Sequence, residues 1–298
     1  MHDGSWEGFL SMMVLLPDEQ LGVFIATSST NAVDAVTTVM DGFFDRFAPG
    51  DGSAGSAVQP RPAAVAAPRA GFYQPARHNE STVERLLSLT GQARLRVDAS
   101  GRVLFHGATW ESLGAGLYQQ VGGTGRLSFL DRDSGSYLVT DGPTYERVPW
   151  VDTVTVNLAV LLVIVLTGAS AVLGLPLAAV LRRLRRRPTA APRRWRLARR
   201  LAALAAGAGL LFLVLLVLIL FGDTSAFLVA VPTSFRLLMV LPLLSAGLAA
   251  ASCVVSVTAW RAGTIAMAAR VHQGVVLAGL FALVWFGWRW NLLGWQFG

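Results

Sequence analysis

The stretch LRRLRRRPTAAPRRWRLARR, residues 181–200, holds ten arginines and no acidic residue. An apolar run beginning near Val154 leads into it, and a second, Leu201 to Phe221, leads out. Crossing a bilayer's hydrocarbon takes about 20 apolar residues, about 30 Å at a rise of about 1.5 Å per residue. Arginine-rich short loops between such runs stay on the cytoplasmic side. Nucleic-acid binding would call for a soluble fold with stacking aromatics among the arginines. Only Trp195 interrupts this run, so the cluster reads as a mark of topology.

Working outward, two further apolar runs complete four expected spans: 154–181, 201–221, 237–260 and 271–288. Pro176 and Gly174 fall inside the first, where a kink is tolerated if neighbouring helices satisfy the freed carbonyl. Every one of the 25 basic residues is Arg, since the chain of 298 residues has no Lys. Residues 1–150 carry 11 Arg against 16 Asp and Glu, a balance of −5, whereas residues 151–298 carry 14 Arg against two acids, a balance of +12. The arginine distribution puts loop 182–200 and the loop holding Arg261 and Arg270 in the cytoplasm. The N-terminal half and the tail with Trp285, Trp288, Trp290 and Trp295 then lie outside, the tryptophans as an interfacial belt. His272 is expected at a helix end near the interface. The spans carry almost no ionisable group at mid-depth, which ranks an anchor or scaffold above a transporter. Small residues such as Ala202, Ala206, Gly209 and Ala249 allow close helix packing. The lone Cys253 reads as a small buried hydrophobe.

Ahead of the membrane, residues 50–69 are Gly, Ser, Ala and Pro in character and read as a linker. Residues 70–150 alternate with period two in ARLRV (93–97), RVLFH (102–106), LYQQV (117–121), RLSFL (126–130), SYLVT (136–140) and TYERV (144–148). These predict a small antiparallel barrel or curved sheet. One helix is expected before it, entered through the capping-box pattern Ser81-Thr82-Val83-Glu84. His78 and His106 lack ligand partners at metal-binding spacing, so no metal is expected. Asn79-Glu80-Ser81 matches a glycosylation sequon, but Ser81 is better explained as the helix cap.

Residues 1–49 read as a hairpin and a helix: apolar Trp6–Leu16, a turn at Pro17-Asp18-Glu19-Gln20, a strand Leu21–Thr27, and a helix Ala32–Phe47 with Val33, Val36, Val39, Met40, Phe43 and Phe44 at helical spacing. One hairpin and one helix cannot make a core. The run His2-Asp3-Gly4-Ser5-Trp6, followed by Met13-Val14-Leu15-Leu16-Pro17-Asp18 and Leu21-Gly22-Val23-Phe24, resembles the end of the serine β-lactamase and penicillin-binding-protein-like hydrolase family. There a Lys/His-x-Gly motif opens a core strand, a second strand follows a Pro-containing turn, and a C-terminal helix packs across the sheet. Gly71-Phe72-Tyr73 through Tyr145-Glu146-Arg147-Val148-Pro149-Trp150, running into membrane helices, resembles the appended domain and anchor of membrane-bound members.

The resemblance implies that His2 lines the polar edge of a catalytic pocket, that Gly4 lets substrate lie close to the strand, and that the Ser5 backbone N–H donates to an oxyanion. It also implies what is missing. With no Lys there is no Ser-x-x-Lys, and Tyr-x-Asn is absent too. The architecture expected is therefore mixed: a fragment of an α/β β-lactamase-like fold (1–49), a linker (50–69), a small antiparallel β-barrel-like domain (70–150) and a four-helix transmembrane region (151–298). The function expected is the C-terminal portion of a membrane-anchored serine hydrolase, inactive alone, its nucleophile segment lost by truncation, gene split or a misassigned start. Its partners are the lipid bilayer and a peptidoglycan-type, peptide or ester substrate, with no cofactor and no nucleic acid. The alternative is a non-enzymatic membrane protein whose outside β domain binds an envelope ligand or partner.

Overall fold

The computed structural model describes residues 2–6, 8–29, 31–49, 66–184, 191–222, 227, 230–261 and 265–297. The chain forms two compact units, Met1–Arg61 and Pro62–Gly298. Most of the expected linker, residues 50–65, lies outside the described residues, as do 185–190 of the arginine-rich stretch.

The first unit contains strands β1 (His2–Trp6), β2 (Phe9–Leu16) and β3 (Leu21–Thr27), followed by helix α1 (Val33–Phe47). The strands form an antiparallel sheet in the order β1-β2-β3. The expected single strand Trp6–Leu16 is broken at Gly8, whose φ of 80° suits a residue without Cβ. The hairpin therefore becomes a three-stranded meander. It is also not buried as expected: Trp6, Phe9, Leu15 and Phe24 are all more than half exposed. The fully buried apolar side chains of this unit, among the described residues, are Val36 and Met40 of α1.

The second unit opens on a closed antiparallel barrel of eight strands: β4 (Gly71–Pro75), β5 (Ala93–Val97), β6 (Val103–Phe105), β7 (Ala108–Gly114), β8 (Leu117–Gln120), β9 (Arg126–Arg132), β10 (Gly135–Thr140) and β11 (Thr144–Arg147). Neighbours in sequence are neighbours in the barrel, and β11 closes it against β4. Six of these strands follow the alternation in the sequence; β4 and β7 do not. Neither GFYQP nor ATWESLG alternates cleanly between apolar and polar residues, and pairing on both sides makes them strands. An eight-stranded barrel is just wide enough for side chains to fill. Here Tyr73, Leu95, Phe105, Trp110, Leu127 and Phe129 are among those that fill it. Phe105-His106-Gly107-Ala108 turns β6 into β7 with positive φ at both central residues, the twist a tight hairpin requires.

The expected helix at 81–89 is a 3-10 turn, Val83–Leu89, and its cap is not Ser81. Asn79 Oδ1 accepts from the backbone N–H of Ser81 and Thr82, both at 3.1 Å, and Asn79 Nδ2 donates to Glu84. The last linker residues, 66–69, belong with the barrel: Ala66 N–H donates to the Phe129 carbonyl, and Arg69 pairs with Asp131 at 2.8 Å.

The helices are α2 (Val154–Leu184), α3 (Arg193–Leu220), α4 (Thr233–Leu238), α5 (Val240–Arg261) and α6 (Met267–Arg289). Four segments among the described residues are long and apolar enough to cross a membrane: Val154–Leu181, Arg193–Leu220, Thr233–Arg261 and Met267–Arg289. Much of the expected arginine-rich loop is thus helix, the first turns of α3 carrying Arg193 to Arg200. Small residues let the helices approach. A Cβ added at Gly209 would overlap Leu283, and one at Gly279 would overlap Thr167. The α3–α5 seam adds hydrogen bonds from Ser245 Oγ to the Ala205 carbonyl (2.9 Å) and from Ser252 Oγ to the Ala198 carbonyl (2.8 Å). Buried Gln273 of α6 donates to Ser252 and Ser256.

Two outcomes follow from this packing. Gly279→Leu should separate α2 from α6 and lower stability by about 1–3 kcal/mol, read as a lower unfolding temperature in detergent. In the barrel, Asp98 accepts hydrogen bonds from the Ser100 hydroxyl at 2.6 Å, from Arg102 Nε and from the backbone N–H of Ser100 and Arg102. These bonds, the Ser100 hydroxyl's foremost, bring its pKa down to about 2. A carboxylate held below its unfolded value of about 3.9 stabilises the fold above that pH and ceases to do so as pH falls through the folded value. Asp98→Asn should therefore lower the melting temperature at pH 7, and the gap from the parent protein should close at about pH 2, as followed by circular dichroism.

Candidate functional site

The expected site residues His2, Gly4 and Ser5 all lie on β1, an edge of the three-stranded sheet. His2 pairs with Met13, Gly4 with Ser11, Ser5 with Leu10 and Trp6 with Phe9. In an antiparallel ladder, hydrogen-bonded and non-hydrogen-bonded pairs alternate, and a two-residue connection closes on a hydrogen-bonded pair. With Trp6 opposite Phe9, that rule engages the backbone of His2, Gly4 and Trp6 with β2 and directs the N–H groups of Asp3 and Ser5 to the free edge. All five residues of the strand are exposed. Residues opposite one another share a sheet face, so His2 and Gly4 lie on the face of Trp6, Phe9, Met13 and Phe24, an apolar surface left uncovered within its unit. A Cβ at Gly4 would lie 3.0 Å from Ser11 Oγ, a close contact that the serine hydroxyl would have to yield to.

His78 and His106 are not brought together. His78 Nε2 lies 3.3 Å from Gln74 Nε2 and 3.7 Å from Glu146 Oε1, and its Nδ1 lies 3.1 Å from the Pro75 carbonyl. A neutral ring donating from Nδ1 to that carbonyl and accepting at Nε2 from Gln74 satisfies both contacts. Gln74 also donates to Glu146 at 2.8 Å, so the three side chains tie β4 to β11 where the barrel closes. His106 sits in the β6–β7 turn against Phe105 and Tyr145. Among the described residues no group of three or more His, Cys, Asp or Glu is placed to hold a metal ion.

A polar seam joining barrel to helices carries no signal in the sequence. Asp152 is buried and accepts both Nε (2.7 Å) and Nη2 of Arg289, across 137 residues. Gln92, just ahead of β5, clamps the start of α2 by donating to the Asp152 carbonyl at 2.9 Å and accepting the Val154 N–H at 2.8 Å. Buried Asn157 donates to the carbonyls of Val151 and Thr153 and accepts from the indole of Trp290. Trp290 is thereby a core residue, only 1% exposed, and not part of an interfacial belt; Trp288 and Trp295 remain exposed. On the barrel side, Asn291 donates to the carbonyls of Glu80 and Thr82, and the Val83 N–H donates to Gln296. Arg85 lies over the Trp290 ring, where burial foremost and then the nearby Arg289 lower its pKa. Beside the seam, an apolar cavity of about 360 Å³ opens between the 3-10 turn and the helix ends, lined by Val83, Leu86, Leu216, Phe235 and Phe297 among others. His272, in the second turn of α6, meets Ser170 of α2 at 3.3 Å.

Comparison with protein-family models, with curated proteins and with solved structures finds no match for this chain.

The seam gives a direct expectation. Breaking a buried pair from one side strands the other charge and typically costs about 3–5 kcal/mol, whereas replacing both partners by apolar groups of like volume is often neutral. Asp152→Ala should therefore destabilise the second unit strongly, and Asp152→Leu with Arg289→Met should recover most of the loss, measured by thermal unfolding in detergent.

Proposed function

We propose that the first unit is one wall of a serine-hydrolase active site of the β-lactamase and penicillin-binding-protein-like kind, held at a membrane surface by the second unit. The observation that carries this reading is the free edge of β1. It holds His2-x-Gly4-Ser5 in an exposed strand followed by two antiparallel strands and a helix, one strand more than the hairpin and helix of the resemblance. On that edge, His2 supplies a polar or cationic rim, Gly4 leaves room for a substrate backbone to lie against the strand, and the Ser5 N–H donates to the oxygen on which negative charge develops.

The energetics agree with a wall that needs its partner. Among the described residues only Val36 and Met40 of this unit are buried apolar side chains, a small core for a sheet and a helix. The uncovered face of Trp6, Phe9, Met13 and Phe24 is then the surface against which the nucleophile-bearing segment packs. That segment is not among these residues, because Ser-x-x-Lys requires a lysine and the chain has none. The substrate class is an acyl compound: a peptidoglycan-type peptide, another peptide or an ester. The barrel acts as a rigid spacer in this scheme, since its interior is filled by its own side chains and leaves no lumen for a ligand. The arginine-rich end of the helices lies in the cytoplasm and the barrel outside.

The chain alone should not turn over a chromogenic β-lactam or an acyl ester. Extending the reading frame upstream should supply Ser-x-x-Lys and Tyr-x-Asn. The extended protein should hydrolyse one of those substrates, with His2→Ala lowering kcat/KM by about 10²-fold. Turnover by the short chain that survives His2→Ala, or an extended chain without either motif, would defeat the proposal. Reporter fusions at the barrel and at residue 188 should report opposite sides of the membrane.

A further inference from the structure

The apolar cavity beside the seam is built from both parts of the second unit. One wall is the 3-10 turn, through Val83, Leu86 and Leu87, and the other is the barrel end of the bundle, through Leu216 and Leu220 in the last turns of α3 and Phe235 of α4. Direct contacts fix these walls against each other. The Val83 N–H donates to the Gln296 carbonyl, Asn291 donates to the Thr82 carbonyl at 3.0 Å, and the Trp295 indole donates to the Arg236 carbonyl at 3.0 Å. Phe235 meets Phe227 edge to face, with ring centroids 5.2 Å apart. The cavity is thus formed by the fold itself, as ligand sites usually are.

Its chemistry is that of a hydrocarbon site. Among the described residues that line it, the one ionisable group is Glu84, which is exposed and already accepts from Asn79 Nδ2 at 3.0 Å. A cavity walled by Leu, Val, Ile and Phe takes an apolar guest in preference to water. Its volume is about 360 Å³. Since about 150 Å³ accommodates a benzene ring, the cavity has room for roughly a dozen carbons. Leu87 and Leu220, 52% and 39% exposed, form an outer rim, whereas Leu216 and Phe235, 4% and 5% exposed, lie inside.

The helices give the depth. Leu220 is about 30 Å along α3 from Arg200, the thickness of the hydrocarbon layer. Trp150, Trp288 and Trp295 are exposed at the same end as Leu220, and tryptophan collects where hydrocarbon meets headgroups. In a bilayer the cavity therefore lies just beneath the headgroups of the barrel-side leaflet, where acyl chains are the surrounding solvent.

We propose that this cavity is a binding site for one acyl chain of a phospholipid in the barrel-side leaflet. The chain enters between Leu87 and Leu220 and lies against Leu216 and Phe235, while the headgroup stays in the interface. A bilayer lipid is favoured over a soluble ligand because the site lies at acyl-chain depth and its interior offers no charged group for recognition. The proposal requires only that the helices span a membrane, and it stands or falls separately from the hydrolase reading.

The test places the full chain, one copy per nanodisc, in phosphatidylcholine doped with a phosphatidylcholine that carries a diazirine in one acyl chain. After irradiation, labelled residues are mapped by peptide mass spectrometry. The parent protein should be labelled at Leu216 and Phe235, which lipids that merely surround the helices do not reach. Ile219→Trp fills the cavity from its α3 wall and should lower that labelling by about tenfold or more, each methylene kept out forfeiting about a fourfold factor. Leu218→Trp adds the same bulk on the outward side of α3, where Leu218 is 63% exposed, and should leave it unchanged. Val231→Phe, on another wall of the cavity, should act like Ile219→Trp and serves if that variant does not fold. Labelling confined to exposed positions such as Leu87, Leu218 and Leu220, or equal losses in Ile219→Trp and Leu218→Trp, would overturn the proposal. Loss of the Leu216 label in nanodiscs that hold two copies would assign the cavity to a contact between copies instead. Stronger labelling of Leu216 by a diazirine-bearing medium-chain fatty acid supplied from water, at equal mole fraction in the membrane, would overturn the phospholipid assignment in favour of a single-chain ligand.

Discussion

The Asp152–Arg289 pair is the interaction on which the second unit depends, because it joins the short segment between the barrel and α2 to the last turn of the final helix. A carboxylate and a guanidinium buried together are tolerable only when each satisfies the other and the surrounding donors and acceptors are also used. Gln92, Asn157, Trp290 and Asn291 meet that condition with direct hydrogen bonds. The barrel is consequently docked on the helix bundle and not suspended from it by a flexible joint. Any group carried by the barrel has a definite height above the ends of the helices.

The two ends of this unit are opposite in physical character. At the barrel end Asp152 is paired with Arg289, and Gln92, Asn157, Trp290 and Asn291 are hydrogen-bonded around it. At the α2–α3 end, Arg196, Arg199 and Arg200 line a cavity together with Leu175, Ala179 and Trp195. Between them the bundle coheres by steric fit and a few buried polar contacts. Glycines let α3 and α2 approach α6, and Ser245, Ser252, Ser256 and Gln273 form hydrogen bonds where water is absent. The first unit works by a different principle. Its sheet leaves apolar residues uncovered and one strand edge free, features that a folded domain ordinarily buries or blocks.

Much of this organisation is legible in the sequence, and the parts that are not share a cause. The spans could be read because twenty apolar residues have few other uses, and six barrel strands could be read because alternation of buried and exposed positions leaves a period-two trace. The β4 and β7 strands leave a weaker trace, as their neighbours in the barrel decide their pairing. Ser81 has the residue type of a cap, yet no side chain caps the turn at Val83, and Asn79 Oδ1 instead accepts from the N–H groups of Ser81 and Thr82 just ahead of it. Trp290 sits among tryptophans that suggest a membrane interface, but a hydrogen bond to Asn157 draws it into the core. At the candidate site, His2, Gly4 and Ser5 could be named from a short motif. That they lie on an exposed edge strand could not.

Taken alone, the sequence determined the four apolar helices, the barrel-like alternation before them, the absence of any lysine and the one-sided accumulation of arginine. These are properties of composition and short-range period, which the solvent reads directly. Only the tertiary structure decided that the barrel closes, that Asp152 finds Arg289 across 137 residues, and that Arg196, Arg199 and Arg200 surround a cavity. Such contacts depend on where distant segments come to rest, and no local pattern encodes that distance.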